Sequence, residues 1–321
     1  MKIAFVFPGQ GAQAVGMGHD LFESSPAARA AFEQVDAACG VSVSSLCFEG
    51  PEAALKETKN TQPCLFATSV AALAACREAG LEPAAVAGHS VGEYAALVAA
   101  GAFDLATGAK LVQQRALAMA EAAAQNPGSM AAVLGLDASV VREVCDSLKS
   151  SLNLGGGGGP IVVPANDNCP GQVVISGEAE ALTEVAPLLK ERGAKRVLPL
   201  EVSGAFHSPL MESAAEALKP IIDSVAITAP SLPIVANVTA EYESSADEIK
   251  ANLAAQVAGP VRWTETIQKL TADGYTHFVE CGSGKVLAGL IKRTAPDAVV
   301  FSVGDSASLA AAIEGLQGRK A

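Results

Sequence analysis

The chain is organised around the stretch Ala84-Ala-Val-Ala-Gly-His-Ser-Val-Gly-Glu-Tyr-Ala-Ala-Leu-Val-Ala-Ala-Gly101. Gly88-His-Ser-Val-Gly92 within it fits the G-x-S-x-G nucleophile elbow, in which a strand turns sharply into a helix. Side chains in place of the two glycines would crowd this turn, whose middle residue adopts strained backbone geometry. The turn would place the Ser90 hydroxyl at a helix N-terminus, where unpaired N–H groups favour a developing negative charge. We therefore predict that Ser90 is a covalent nucleophile.

The composition predicts a folded protein of the cytoplasm. Half of the 321 residues are apolar and 17% are charged, which supplies a core and argues against extensive disorder. The net charge of -12 argues against nucleic acid or an anionic membrane as the main partner. The seven cysteines form no CxxC pair and are not spaced with the four histidines as metal ligands, so we interpret them as buried thiols in a reducing compartment. No apolar run has the pattern of a membrane span or a signal peptide.

Strands and helices alternate through both ends of the chain. This alternation predicts an α/β fold with a mainly parallel sheet. The predicted strands of this part are Ile3–Phe7, Ala84–Ala87, Pro233–Asn237, Thr276–Glu280 and Val299–Val303, and its predicted helices include Gln62–Ala79, Thr107–Ala124 and Val261–Asp273.

The pattern changes between Asn126 and Gly204, where the predicted order is β-α-β-β-α-β, as in ferredoxin-like units. We therefore predict a discontinuous core of residues 1–126 and 205–321 that carries an inserted subdomain of residues 127–204. The run Gly155–Gly159 is interpreted as a flexible hairpin or linker. It has no phosphate-binding role in this interpretation, because no helix with Lys-Ser or Lys-Thr follows it.

A serine nucleophile needs a base, and His207 is the best placed of the histidines. It lies in a Gly/Ser-rich loop before Ser208-Pro209, and the chain order of serine before histidine is that of elbow folds. His89 adjoins Ser90, but the side chain next to an elbow nucleophile points away from the target. His19 lies in a polar loop. His277 starts an apolar strand, where a structural role is expected.

No acidic residue between Ser90 and His207 is a clear third member of a triad. The candidates lie in or beside the predicted subdomain: Asp137, Asp146, Asp167 and Glu201. A backbone carbonyl or an amide side chain would then orient His207, since base catalysis needs control of the histidine tautomer rather than an acid as such.

Two further residues have a functional and an ordinary interpretation. Gly9 and Gly11 flank Gln10, which makes the Gln10 amide a candidate oxyanion donor, although a glycine pair is also typical of an ordinary turn. Arg115 lies in a predicted helix, either on a solvated face or as a bidentate clamp for a substrate carboxylate. The sequence pattern does not choose between these interpretations.

Seven motifs along the chain resemble those of malonyl-CoA:acyl-carrier-protein transacylases and follow one another in that family's order. The resemblance covers essentially the whole chain. The motifs are Phe7-Pro-Gly-Gln-Gly-Ala-Gln13, Gly88-His-Ser-Val-Gly-Glu93, Gln113-Gln-Arg115, Asn166-Asp-Asn-Cys-Pro-Gly-Gln-Val-Val-Ile-Ser-Gly177, Gly204-Ala-Phe-His207, Gln256-Val-Ala-Gly-Pro-Val-Arg-Trp263 and Gly284-Lys-Val-Leu287. The departures are the five-glycine run and Gly282-Ser-Gly284, which replaces a more usual Gly-Pro-Gly.

The resemblance implies an α/β-hydrolase-like core with a ferredoxin-like subdomain, and it assigns roles to individual residues. Ser90 would be acylated and His207 would be the general base, oriented by the backbone carbonyl of Gln256. The remaining implied roles concern the substrate: oxyanion-hole amides from Gln10 and Val91, a malonyl-carboxylate clamp from Arg115, a position near the entrance for Asn166, and selection of malonyl over methylmalonyl groups by Val91 and Phe206.

The implied reaction moves the malonyl group of malonyl-CoA, through a malonyl-serine, to the phosphopantetheine thiol of holo-acyl carrier protein in fatty acid biosynthesis. A monomer without cofactor or metal would suffice. The acidic carrier protein would need a basic docking patch, although solvated faces explain the same residues: Lys190, Arg192, Lys195, Arg196, Lys285, Lys292 and Arg293. Three alternatives stay open: an esterase or thioesterase, a non-catalytic subunit that binds carrier protein, and an acyltransferase of a polyketide pathway.

Overall fold

The computed structural model of the chain describes residues 2–151 and 159–317. Its strands belong to two sheets, one in each predicted part of the chain. In chain order they are β1 Ile3–Phe7, β2 Ala85–Gly88, β3 Ser129–Leu134, β4 Val162–Cys169, β5 Gln172–Gly177, β6 Arg196–Pro199, β7 Ile234–Val235, β8 His277–Cys281 and β9 Val299–Val303.

Helices connect these strands throughout the described residues. They are α1 His19–Ser24, α2 Pro26–Cys39, α3 Val43–Glu49, α4 Glu52–Lys56, α5 Thr58–Glu78, α6 Gly92–Ala99, α7 Leu105–Gln125, α8 Ala138–Ser151, α9 Ala179–Glu191, α10 Glu212–Ser224, α11 Ala246–Gln256, α12 Trp263–Ala272, α13 Val286–Thr294 and α14 Ser306–Gln317, with a 3₁₀ turn at Pro209–Met211.

The larger sheet has the strand order β7-β2-β1-β8-β9, and all of its neighbouring strands are parallel. Residues of β1 alternate between its two faces: Phe5 and Phe7 join one buried apolar cluster, and Ala4 and Val6 join another. Parallel sheets require apolar cover on both faces, because helical crossovers lie on each side. The predicted α/β core with a parallel sheet is confirmed.

The smaller sheet has the order β4-β5-β3-β6, and its neighbours are antiparallel. With α8 and α9 this is the β-α-β-β-α-β unit that the sequence predicted, in the ferredoxin-like arrangement. Its own apolar cluster includes Val133, Val173 and Ile175. The predicted boundaries at residues 126 and 205 remain a proposal, which the separation of the strands into two sheets supports. Residues 155–158 of the predicted glycine linker lie outside the described residues.

Two predicted elements are shorter in the structure, for related reasons. The strand predicted over Pro233–Asn237 ends at Val235, and the backbone N–H of Asn237 donates to Glu93 Oε2 at 3.0 Å instead of a neighbouring strand. The helix predicted from Val261 begins at Trp263, because the backbone of Val261 pairs with the subdomain strand β4.

The segment from Gln256 to Thr264 joins the subdomain to the core. Val261 N–H donates to Ala165 O at 2.8 Å, and Asp167 N–H donates to Val261 O at 2.9 Å. The Thr264 hydroxyl adds a bond of 2.6 Å to the Asp167 carboxylate. A cleft lies between the two parts, and residues of both border it.

Candidate active site

Ser90 lies between the end of β2 and the start of α6, with a left-handed backbone φ of 53°. The two glycines are required by close backbone contact. A Cβ on Gly88 would lie 2.0 Å from the carbonyl carbon of Gly92, and a Cβ on Gly92 would lie 2.1 Å from Phe7 O. The strand-turn-helix context that the motif needs is therefore present, and it holds the Ser90 hydroxyl at the floor of the cleft.

His207 is next to Ser90 although 117 residues separate them in the chain, with 2.8 Å between Ser90 Oγ and His207 Nε2. Its Nδ1 lies 2.9 Å from Gln256 O and 3.0 Å from Gly259 O. Because both of these are carbonyl acceptors, Nδ1 must carry the proton, which leaves Nε2 to accept from the serine hydroxyl. Like Ser90, His207 has a left-handed backbone, with φ of 58°.

The imidazole is held in its neutral form. Burial, followed by the positive charge of Arg115, lowers the pKa of His207 to about 3. A neutral imidazole with a free Nε2 is the form that takes a proton, so the pair is ready for base catalysis at neutral pH. Carbonyl oxygens thus orient the histidine here, in place of a triad acid.

Arg115 is fully buried, so its guanidinium does not lie on a solvated helix face. Its Nη2 donates to Ser90 Oγ at 3.0 Å and to Gln256 Oε1 at 3.0 Å, and its Nη1 donates to Gln62 Oε1. Among the described residues it forms no ion pair with a carboxylate within 4 Å. A buried cation beside the nucleophile, with neutral oxygens as its hydrogen-bond partners, suits a ligand that carries its own carboxylate.

The two proposed oxyanion donors belong to the loop after β1 and to the elbow itself. Gln10 borders the cleft, and a Cβ on Gly9 would approach His89 O to 2.7 Å, so this loop packs directly against the elbow. In the described chain, neither the Gln10 nor the Val91 amide has a hydrogen-bond acceptor. The Ser90 amide is engaged, because it donates to Asn237 Oδ1 at 2.7 Å. The Gln10 and Val91 amides are therefore free to bind an oxyanion, and their role as donors remains a proposal.

The cleft has a volume of about 480 Å³, and both parts of the chain border it. Asn166 and Phe206 border it and are largely buried, with exposed fractions of 6% and 4%. Gln256 does not border it. This residue is fully buried behind Ser90, where its side chain can touch Arg115 but not the open cleft.

Comparison with known proteins identifies the family. A family model described as an acyl transferase domain matches residues 4–312. The malonyl CoA-acyl carrier protein transacylase of Bacillus subtilis (strain 168) is 45% identical over 316 residues, which cover 98% of each chain. The chain belongs to the malonyl CoA-acyl carrier protein transacylase family.

Solved structures of the family agree with this fold. The acyl-carrier-protein S-malonyltransferase of Burkholderia pseudomallei 1710b has a TM-score of 0.91 at 42% identity, over 98% of this chain and 100% of that chain. A complex of a type II PKS acyl-carrier protein with its malonyl-transacylase has a TM-score of 0.92 at 39% identity. The match covers 98% of this chain and 100% of that chain.

Several residues around the site of this family member were missed by sequence reasoning. Gln62 holds Arg115, Asn237 holds Ser90, and Glu93 holds Asn237. The sequence did contain a sign that Glu93 has a special role, since it is the one charged residue in the alanine-rich run after the elbow. Asn237 had a weaker one, as a polar residue that ends an apolar strand.

The described residues contain no group of three or more side chains suited to hold a metal ion. Within the same residues, no helix combines the length and apolar character needed to cross a membrane. All seven cysteines are buried free thiols.

Proposed function

We propose that this chain transfers the malonyl group of malonyl-CoA to the phosphopantetheine thiol of acyl carrier protein, through a malonyl-serine intermediate, in fatty acid biosynthesis. The observation that carries this proposal is the buried guanidinium of Arg115, 3.0 Å from Ser90 Oγ. In a malonyl thioester one methylene separates the carboxylate from the reacting carbonyl. A cation adjoining the nucleophile is therefore where that carboxylate would lie.

In the acylation step, Ser90 Oγ attacks the thioester carbonyl carbon while its proton moves to His207 Nε2. The C–O bond forms, and the carbonyl oxygen becomes an oxyanion that the amides of Gln10 and Val91 would bind. Such donors typically contribute about 3–4 kcal/mol each. Collapse of this intermediate breaks the C–S bond, and the CoA sulfur leaves with the proton from His207.

Transfer reverses these events with another thiol. The phosphopantetheine thiol of the carrier protein enters the cleft and gives its proton to His207 Nε2. Its sulfur forms the new bond to the malonyl carbonyl carbon, and the C–O bond to Ser90 breaks. The serine oxygen takes back the proton, which restores the free enzyme.

The residues next to the dyad support a malonyl rather than a methylmalonyl group. Phe206 is 4% exposed and borders the cleft beside His207. Val91 follows Ser90 and is 1% exposed. We propose that a rigid wall of this size would crowd a branch on the central carbon of the acyl group.

The substrates in this proposal are malonyl-CoA and holo-acyl carrier protein, with no bound cofactor. A cytoplasmic location and a monomer are also proposed, the former on the seven buried free cysteines. Of the basic residues proposed for docking, Lys285 adjoins Val286 at the cleft. Arg192 is paired with Glu143, and Arg293 donates to Gln172 and Pro170.

Intact mass after brief exposure to malonyl-CoA, acetyl-CoA or methylmalonyl-CoA tests this function. The expected result is a malonyl adduct that is absent in Ser90→Ala and that passes to added holo-carrier protein. An adduct released mainly to water would contradict the proposal and favour a thioesterase. The hydroxyl-free Ser90→Ala variant also serves as the control for non-specific acylation.

The pathway has one specific alternative, because a related solved complex contains a type II PKS acyl-carrier protein. Transfer rates to a fatty-acid carrier protein and to a polyketide carrier protein, measured in parallel, separate the two. The proposal expects faster transfer to the fatty-acid carrier, and a clear preference for the other would assign this chain to a polyketide pathway.

A further inference from the structure

Glu93 is a fully buried carboxylate three residues after the nucleophile, in the first turn of α6. Its Oε2 accepts two hydrogen bonds, one from the backbone N–H of Asn237 at 3.0 Å and one from Gln256 Nε2 at 2.9 Å. The acyl-transfer steps described above use neither Glu93 nor Asn237. Burying a carboxylate costs free energy unless hydrogen bonds compensate for the lost water, so the partners that supply these bonds indicate what Glu93 holds in place.

These two partners hold the peptide groups on both sides of Ser90. Asn237 Oδ1 accepts the Ser90 N–H at 2.7 Å, and Asn237 Nδ2 donates to Gly88 O at 2.6 Å. Gln256 Nε2 donates to Ser90 O at 3.0 Å. A left-handed serine is strained, and it persists only where the surroundings fix it in this way.

Gln256 extends the same network to the other reactive groups. Its side-chain oxygen accepts from Arg115 at 3.0 Å, and its backbone oxygen lies 2.9 Å from His207 Nδ1. Glu93 therefore contacts two residues that together touch the proposed nucleophile, base and carboxylate clamp.

We infer that Glu93 and Asn237 are positioning residues that set the Ser90 backbone, and through Gln256 the groups around it, for attack on the acyl donor. This inference rests on the proposed function. Glu93 acts as a hydrogen-bond acceptor, a task that a glutamine carbonyl can also perform. Burial and the neighbouring carboxylate of Glu243 raise the pKa of Glu93, in agreement with a role that does not need its charge.

Glu280 provides a matched control, since it is also a fully buried carboxylate. It accepts the N–H groups of Leu287 and Ala288 at the start of α13, each at 2.9 Å, and the Ser302 hydroxyl at 3.2 Å. Among the described residues, none of these partners belongs to the site. Its loss should lower stability without moving Ser90.

The test compares Glu93→Ala, Glu93→Gln, Asn237→Ala and Glu280→Ala. Two single-turnover rate constants are measured per folded enzyme: malonylation by malonyl-CoA, and phosphonylation of Ser90 by a small fluorophosphonate that carries no carboxylate. We expect Glu93→Ala and Asn237→Ala to slow both reactions about 10- to 100-fold, because small displacements of reacting groups have effects of this size. The concentration of malonyl-CoA that gives half of the maximal rate should stay within about threefold of the wild-type value.

Glu93→Gln should retain both rates within about threefold, and Glu280→Ala should lower Tm yet keep both rates. Equal phosphonylation rates in Glu93→Ala, Asn237→Ala and Glu280→Ala would overturn the inference, as would a glutamine variant as slow as the alanine variant. If Glu93→Ala does not fold, Asn237→Ala and Glu93→Gln decide. Wild-type enzyme that is phosphonylated but not malonylated would contradict the proposed function alone.

Discussion

The two walls of the cleft hold their polar groups in different ways. On the core side, Ser90 and His207 border the cleft, and Arg115 is fully buried beside Ser90 without bordering it. Each of the three is tied to at least one other buried group. On the subdomain wall, Asn168 is bonded to His89 and Gln172 to Arg293, but Asn166 Oδ1 is buried and has no partner among the described residues. The difference indicates separate roles: the fixed groups on the core side perform the chemistry, and Asn166 on the subdomain wall keeps a free acceptor for a ligand.

This comparison predicts different kinetic effects on the two sides. Groups that are already fixed contribute to the transition state without further ordering, so their loss lowers kcat. A group that lacks a partner until the ligand arrives contributes to binding, so its loss raises KM.

The largest effect is expected from His207→Ala on the core wall. Without a base the serine hydroxyl keeps its proton, and malonylation should slow by about 10⁴- to 10⁶-fold, the range seen when members of a catalytic triad are removed. Single-turnover mass spectrometry at saturating malonyl-CoA measures this. A loss below about tenfold would mean that another group takes the proton.

Gly92→Ala tests whether the core wall is as closely packed as the elbow geometry indicates. The added methyl would lie 2.1 Å from Phe7 O, so we expect a loss of at least about 3 kcal/mol in the free energy of unfolding. Gly289→Ala is the matched control, because a Cβ there meets nothing within 4 Å inside α13. It should be neutral or stabilising by about 0.5–1 kcal/mol. Urea titration compares the two, and equal stabilities would contradict the packing argument.

On the subdomain wall, Asn166→Ala should have a small effect of a different kind. Loss of one neutral hydrogen bond costs about 0.5–1.5 kcal/mol, which corresponds to a rise in KM of about two- to tenfold with kcat retained. Steady-state transfer assays give both constants. A fall in kcat at constant KM would remove the distinction between the walls.

The smallest effect is expected from pH. Because burial lowers the folded-state pKa of His207 to about 3, the imidazole stays neutral from pH 8 down to pH 5.5. The malonylation rate should therefore show no acidic limb near 6.5, the ordinary pKa of histidine. In the unfolded state, the His207 imidazole binds a proton below about pH 6.5. The free energy of unfolding therefore decreases as the pH is lowered through this range, and rates must be normalised to the amount of folded enzyme. A half-maximal rate near pH 6.5 would contradict a buried neutral base.

The sequence predicted those features that depend on local pattern. The elbow glycines and the alternation of strands and helices around Ser90 have a short-range physical cause, and the structure contains them. His207 could be selected only as a candidate, because its distance from Ser90 depends on the whole fold. Its carbonyl partner came from the family resemblance, and the structure places Gln256 O where that resemblance implied.

Other features could not be predicted because they depend on which side of an element is covered. The burial of Arg115 depends on how α5 and α7 pack, which no pattern within α7 specifies. The early end of β7 at Val235 depends on Glu93, more than 140 residues away in the chain. Side chains that capture backbone groups over such distances leave little local signal.

The central claim is that Arg115, buried beside Ser90 on the core side of the cleft, selects a malonyl group. The most direct measurement is the ratio of single-turnover acylation rates with malonyl-CoA and acetyl-CoA, in wild type and in Arg115→Ala. The account predicts that malonyl-CoA is strongly preferred by the wild type. The ratio should fall by about 10²- to 4×10³-fold in the variant, since removing one partner of a buried charge pair costs about 3–5 kcal/mol. A ratio that is unchanged by the substitution, even if both rates fall, would show that Arg115 supports the fold without recognising the carboxylate.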